Sequence, residues 1–246
     1  MLLEVDASQL DWRCALFLSQ DKVGIDELFS GSDFHADNQR RYKFPEGKDG
    51  RDLAKTFLYR MIFKGPAYAY ANDPRFMGVS SSEKFWQNII DTTYEKYWQL
   101  ADWHTQIIQQ VNSTGRLSIP TGRSYEFRKN LSGAYSDRDI CCYPVQGLES
   151  EFMVIARATA RARYAKFHLR DKFLFINTVH DSLVEDADMQ EGSDELKELC
   201  MWNEDIFSDI PRNFERVFGV KVNIPLAGEC KYGMNWADMK KFKRGE

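Results

Sequence analysis

No apolar run in this chain approaches the roughly 20 residues that a membrane-spanning helix requires. The opening residues carry two acids, Glu4 and Asp6, which a secretory signal peptide would not tolerate. Its five cysteines, Cys14, Cys141, Cys142, Cys200 and Cys230, form no C-x-x-C pair of the kind that holds zinc. An odd number of thiols with no targeting segment implies a reducing cytoplasm, that of a host cell if the chain is phage-encoded, and five buried free thiols. No internal repeat and no low-complexity linker interrupts the chain. Nor is there an excess of positive charge: the formal net charge of -4 argues against a wholly basic nucleic-acid binder.

What is present is enough chain for one large domain or two small ones, 246 residues, of which 43% are hydrophobic and 14% aromatic. The charges are segregated. Arg40, Arg41, Lys43, Lys48, Arg51, Lys55, Arg60 and Lys64 crowd one stretch, and Arg157, Arg161, Arg163, Lys166, Arg170 and Lys172 a second, while 181–215 is strongly acidic. Local basic faces on an acidic body suit phosphate contacts from one side. On charge alone, solvated helix faces are the simpler account.

Hydrophobic patterning predicts a strand over 1–5 ending at Asp6, a helix over 10–18, a loop or broken helix over 33–50, and a helix over 51–63 stopped by Gly65-Pro66. Ser80 to Ser82 can cap one long helix over 83–111, which Gly115 stops. A hairpin is expected over 116–127 around Pro120-Thr121-Gly122, a helix over 149–168, and a second hairpin of 173–179 and 183–185 with His180-Asp181-Ser182 at its turn. A helix over 195–218 with a break at Pro211 and a closing strand over 220–226 complete the pattern. Strand, long helical insertion and return to strands together describe an α+β layout with one lobe inserted into another.

Two acids stand at strand ends far apart in sequence, Asp6 and Asp181. Paired strands would bring them together, and phosphoryl transfer on nucleotides needs hard oxygen ligands for two magnesium ions roughly 3.5–4 Å apart. Either acid alone is more often a turn or cap residue than a ligand. In the helix over 51–63, Arg51, Lys55, Tyr59 and Phe63 recur every fourth residue, so they lie along one side. Two cations followed by two rings can grip a triphosphate and then stack on a base and sugar. The same spacing also describes a helix whose Tyr59 and Phe63 face a core while Arg51 and Lys55 snorkel.

Taken together, these segments resemble the motifs of A-family DNA polymerases. Asp6-Ala-Ser-Gln-Leu-Asp-Trp-Arg13 resembles motif A, D-x-S-x-x-E-x-R; Arg51 through Lys55 and Tyr59 to Phe63 resembles motif B, closest to the phage type; and Val179-His180-Asp181-Ser182 resembles motif C, V-H-D-E. Thr121-Gly122-Arg123 and Pro144-Val145-Gln146-Gly147 resemble the family's D-G-R hairpin and P-x-Q-G helix. The resemblance implies that Asp6 and Asp181, with the carbonyl of Ala7, bind two Mg2+ ions. It implies that Arg51, Lys55 and His35 bind the incoming triphosphate, with Lys55 protonating the leaving pyrophosphate. Tyr59 and Asp11 would select the sugar, Phe63 would lie near the templating base, and Arg138, Gln146 and His180 would touch primer or template. Arg13, Arg123 and Gln9 match weaker positions where a structural role is equally open.

The implied fold is a polymerase palm, an antiparallel sheet backed by helices, with an inserted, mainly helical fingers subdomain and with thumb and exonuclease domain absent. Palm would occupy 1–19 and 138–246, the latter holding the motif C hairpin 173–186. Fingers would occupy 20–137, including the hairpin 115–127. The implied partners are primer–template DNA, dNTPs and a second polypeptide that supplies thumb and remaining palm, as in a split polymerase; no membrane is implied. The chain departs from the motifs in five places, one of them Lys64, which stands where a glycine follows the end of motif B. The motif A glutamate is Asp11, one methylene shorter. The glutamate after the motif C aspartate is Ser182, for which Glu185 could substitute through water. Phe63 replaces a tyrosine, and Cys142 an asparagine. A single-subunit RNA polymerase, whose motif C can read His-Asp-Ser, and a low-activity DNA-binding subunit are the alternative readings.

Overall fold

The computed structural model describes residues 1–31, 33–166 and 172–245. In chain order they form β1 (Leu2–Ala7), α1 (Leu10–Ser19), α2 (Lys22–Ser30), α3 (Phe34–Tyr42), α4 (Lys48–Ile62), α5 (Ala67–Ala71), α6 (Glu83–Lys96), α7 (Trp98–Thr114), β2 (Arg116–Ser118), β3 (Ser124–Glu126), α8 (Asp137–Lys166), β4 (Phe173–Val179), β5 (Ser182–Ala187), α9 (Asp194–Phe218), β6 (Gly228–Gly233) and β7 (Lys240–Lys241). The chain divides into two compact units, Met1–Arg13 with Gly147–Glu246, and Cys14–Gln146, so the sequence of the second interrupts that of the first. This is an α+β fold.

The first unit is built on a five-stranded sheet in the order β4-β5-β1-β6-β7, antiparallel throughout. Alternation along β1 puts Leu3, Val5 and Ala7 in the interior and leaves Leu2, Glu4 and Asp6 half-buried on the other face. Helix α9 packs its apolar face, including Leu196, Leu199, Ile206, Phe207, Ile210 and Phe214, on β6 and β1. Phe152 of α8 meets Phe214 edge-on at 4.9 Å. The core of the second unit is aromatic: Tyr42, Phe44, Phe57, Tyr70, Phe76 and Trp86 are all buried, with Phe57–Tyr70 and Phe76–Trp86 centroids 5.0 Å apart.

Several expected elements differ. The stretch 33–50 holds a whole helix, α3, whose Asp33 cap accepts from the Ala36 N–H at 3.1 Å, before α4 starts three residues early at Lys48. Its buried residues, Phe34, His35, Asn38 and Tyr42, are hidden in an otherwise polar segment. Gly50 is required there, because a Cβ would stand 1.7 Å from the Pro45 carbonyl oxygen. The long helix over 83–111 is two helices, split at Tyr97. The buried Tyr97 hydroxyl donates to Glu27 at 2.8 Å, and Asp21 restarts the helix. Asp21 caps α2 through the Gly24 N–H at 3.0 Å and accepts the Gln99 and Leu100 N–H groups of α7 at 3.1 and 3.2 Å.

Helix α8 begins twelve residues before the expected 149 and carries Pro144 inside it, because Ile140, Cys141, Val145 and Leu148 are all buried and hold that half in place. Its expected last residues, 167 and 168, and Arg170 of the second basic stretch lie outside the described residues. Helix α9 runs unbroken through Pro211 for the same reason, with buried side chains on both sides of the proline. The expected strand over 220–226 is irregular: Val222, Ile224 and Leu226 are buried, but the ladder beside β1 is β6. Gly228 allows this, since a Cβ there would meet the Phe207 ring at 2.5 Å. Of the five thiols, Cys142 is half-buried and the other four are buried.

Candidate active site

Within the first unit, β1 and β5 pair with Asp6 opposite Ser182, and the Ala7 N–H donates to the Asp181 carbonyl at 2.9 Å. The side chains of Asp6 and Asp181 stand close enough to interact. Asp181 sits in the β4–β5 turn directly after His180, which adopts φ 52 and is exposed. Burial, followed by the charge of Asp11, raises the Asp181 carboxyl above its ordinary value. A fourth acid completes the group. Glu149 of α8 stands beside Asp11, the second residue of α1, and its carboxyl is raised well above the usual range by burial first and then by Asp11 and Asp181. Sequence reasoning missed Glu149; the signal available was an acid in the turn after Pro144-Val145-Gln146-Gly147.

Glu185 is not near this group. Its strand partner is Leu3, two residues from Val5 on the helix-covered side of β1, whereas Asp6 faces Ser182 on the other side. It is fully buried, accepting from the Tyr164 hydroxyl at 3.1 Å and from Asn203 Nδ2 at 2.8 Å. A water-mediated role for Glu185 beside Asp6 is therefore excluded by strand parity. Ser182 is buried too, its hydroxyl donating to the Val179 carbonyl at 3.1 Å. Arg13 is a structural residue, buried while donating to the carbonyls of Ser8, at 2.7 Å, and Pro225.

Burial pushes the Glu185 carboxyl up to about 7 from an ordinary 4.5, with the Asn203 and Tyr164 hydrogen bonds working against the rise. The folded chain thus keeps a proton that the unfolded chain releases at lower pH. Stability from that proton is complete below about 4.5 and is lost as pH rises through about 7. Glu185→Gln, neutral throughout, should gain on the wild type by roughly 2–3 kcal/mol between those pH values. Urea unfolding at both pH values measures it; parallel pH profiles would show that Glu185 ionises freely in the fold.

The second unit gathers a different set. The buried side of α4 is Gly50, Ala54, Phe57, Leu58, Met61 and Ile62, so Arg51, Lys55 and Tyr59 lie along its outer side, Lys55 exposed and the others half-buried. Tyr59 and the half-buried Phe63, the residue that ends the helix, are thus not core anchors. Lys55 Nζ lies 5.7 Å from the Tyr59 ring centre, and the buried His35 ring stacks on Tyr59 at 6.3 Å. His35 is lowered to about 4 by burial and then by Arg51 and Lys55, so it is a neutral imidazole at pH 7. Neither of its ring nitrogens has a hydrogen-bond partner among the described residues. Arg51 Nε donates to Asp33 at 2.8 Å. Arg138 and Gln146 are exposed on α8. Each group is assembled inside its own unit.

The acid group fits hard divalent cations, because it gathers carboxylate oxygens in one place; burial, followed by the charge of Asp11, lifts the Asp181 carboxyl there. No three His, Cys, Asp or Glu side chains among the described residues form a complete ligand set. Two carboxylates and a backbone oxygen suit a hard divalent cation whose remaining coordination is filled by water.

The sequence model described as DNA polymerase family A matches residues 1–238. DNA polymerase I of Caldicellulosiruptor bescii is 23% identical over 250 residues, which cover 98% of this chain and 27% of that protein. DNA polymerase I of Treponema pallidum is 23% identical, over 96% of this chain and 23% of its own length. The DNA polymerase of Bacillus phage SP01 is 22% identical, over 97% and 26%. The chain thus spans about a quarter of the length of these relatives. Among solved structures, the POL domain of Pol1 from M. smegmatis, in complex with DNA primer-template and dNTP, superposes with a TM-score of 0.75 at 20% identity, over 96% of this chain and 40% of that one. No helix among the described residues is long and apolar enough to cross a membrane.

Proposed function

Because the chain belongs to DNA polymerase family A, we propose that it adds deoxynucleotides to a primer 3′ end, with palm at 1–19 and 138–246 and fingers at 20–137. The observation that carries the reading is the juxtaposition of Asp6 and Asp181, a strand end and a hairpin turn that the β1–β5 register and the Ala7 N–H bond to the Asp181 carbonyl bring together. Two Mg2+ ions, held by Asp6, Asp181 and the Ala7 carbonyl, would activate the primer hydroxyl and neutralise the triphosphate.

The remaining work falls to the protein's own side chains. Arg51 and Lys55 bind the triphosphate through charge-assisted contacts, and Lys55 delivers a proton to the departing pyrophosphate. His35, neutral and with unpartnered ring nitrogens, offers a hydrogen-bond donor to a phosphate oxygen at no further cost in charge burial. For this Arg51 must exchange its Asp33 partner for phosphate. Tyr59 holds sugar and base, Asp11 closes the 2′ side, and Phe63 lies by the templating base. Arg138, Gln146 and His180 contact primer or template. Positioning and charge neutralisation do most of the catalysis.

A second polypeptide would grip the duplex. Edge strand β4 supports this, because Leu174, Ile176 and Val179 on it are 67%, 49% and 42% exposed.

The test is single-nucleotide addition to a primed template with dNTP or rNTP. The expected result is addition of dNTP with strong rejection of rNTP. Preference for rNTP would mark an RNA polymerase, and addition of neither would mark a DNA-binding subunit.

A further inference from the structure

The second basic stretch of the sequence has no part in the chemistry proposed above, and it borders a groove. Within the first unit, α8 and α9 face each other across a space of about 600 Å3. Its lining recurs at helical steps: Ala158, Ala162 and Lys166 on α8, and Trp202, Asp205, Asp209, Arg212 and Arg216 on α9. This side of α9 differs from the one that packs Leu199, Ile206, Ile210 and Phe214 inward. The groove stays open because Ala158, Thr159 and Ala162 are too short to fill it. It is also fastened across: Asn213 Nδ2 donates to Thr159 Oγ1 at 2.9 Å, and Arg163 donates to the Trp202 carbonyl at 3.1 Å and to Asp209 at 2.6 Å.

Both acids in the lining are already matched by cations. Asp209 holds Arg163 and, at 3.1 Å, Arg212; Asp205 holds Arg244 at 2.5 Å. Arg216 is exposed and has no hydrogen bond or ion pair among the described residues. The same holds for Arg157 and Arg161, which adjoin Ala158 and Ala162 on α8. Positive charge is therefore in excess, and beside it Trp202, Ile155 and the 58% exposed Val217 offer apolar contact. We propose that this groove docks an acidic peptide segment of another polypeptide, one with an apolar side chain among its carboxylates. Arginine forks pair with carboxylates through two hydrogen bonds at once. A continuous phosphate chain would press charge on Asp205 and Asp209, whereas a peptide can offer those two acids its N–H groups. The mixture of apolar floor and charged rim is that of a peptide interface.

The probe is a fluorescent synthetic peptide of Glu-Glu-Phe repeats, titrated with the full chain and read by anisotropy; a Gln-Gln-Phe peptide of the same length is the control. The acidic peptide should bind and the neutral one should not. Arg216→Glu should weaken binding by about tenfold or more, since it replaces a charge-assisted contact with a repulsion. Ala162→Trp should weaken it as much while leaving the charge unchanged, because the ring occupies the groove. Both positions are exposed, so both variants should keep the thermal midpoint of the wild type. No binding by the wild type, or equal binding of the neutral peptide, overturns the proposal. So does wild-type affinity in Ala162→Trp, which would mark diffuse surface attraction. Displacement of the peptide by oligo-dT at an equal or lower concentration of charge would assign the groove to nucleic acid and overturn it too. Single-nucleotide addition should be unaltered in both variants, because α9 lies on the sheet face opposite Asp6; a loss there would tie these residues to primer–template and overturn the peptide assignment.

Discussion

Asp6→Ala and Asp181→Ala should each lower single-turnover nucleotide addition by on the order of a thousandfold or more. The proposed site uses both carboxylates on both cations, so either change removes shared ligands, and the charge stabilisation at stake is several kcal/mol at about 1.4 kcal/mol per tenfold. Protein stability should hardly fall. The two acids are half-buried and crowded, and Asp181 is held above its ordinary value by burial and by Asp11. Removing one relieves repulsion more than it removes packing. Rapid-quench extension at saturating primer–template, with thermal unfolding measured in parallel, separates the two effects. Near-normal addition by either variant would place the chemistry elsewhere.

The second large effect concerns the sugar. Tyr59 lies half-buried on the outer side of α4, with the His35 ring stacked beside it and Lys55 one turn away. In the family that the motifs resemble, a phenylalanine at this position leaves a gap that the substrate's own 3′ hydroxyl fills by contacting its phosphate. The Tyr59 hydroxyl can fill that gap itself, so a substrate lacking the 3′ hydroxyl loses little. Dideoxynucleotides should be added almost as well as natural ones, and Tyr59→Phe should restore discrimination. One hydrogen bond, about 1–3 kcal/mol, corresponds to a change of about tenfold to a hundredfold in the dNTP-to-ddNTP ratio of kcat/KM. Strong rejection of dideoxynucleotides by the unmodified chain would show that Tyr59 does not face the sugar.

Local pattern reached a good part of this architecture. The strand ending at Asp6, the helix carrying Arg51, Lys55 and Tyr59, the stop at Gly115 and the two hairpins all rest on short-range periodicity and turn chemistry, and all are present. The α+β class followed from their order alone. What local pattern left open on α4 was which side faces the core, since cations and rings on one side fit two accounts. Packing of Phe57 among Tyr42, Tyr70 and Trp86 decides it and turns Tyr59 outward.

Other features were beyond the sequence because their cause lies far along the chain. The helix breaks at Tyr97, whose hydroxyl reaches Glu27, and restarts where Asp21 accepts the Gln99 N–H, and the period-two run over 220–226 forms no ladder because β6 occupies the edge of β1. By itself, the sequence determined the order of the motifs and the side chains available for phosphate and metal, because these reside in residue identity and short spacing. Only the tertiary structure decided that Glu185 lies beneath the sheet and that Glu149 stands beside Asp11. Strand register and helix docking place side chains by contacts between distant segments, and no local pattern encodes those contacts.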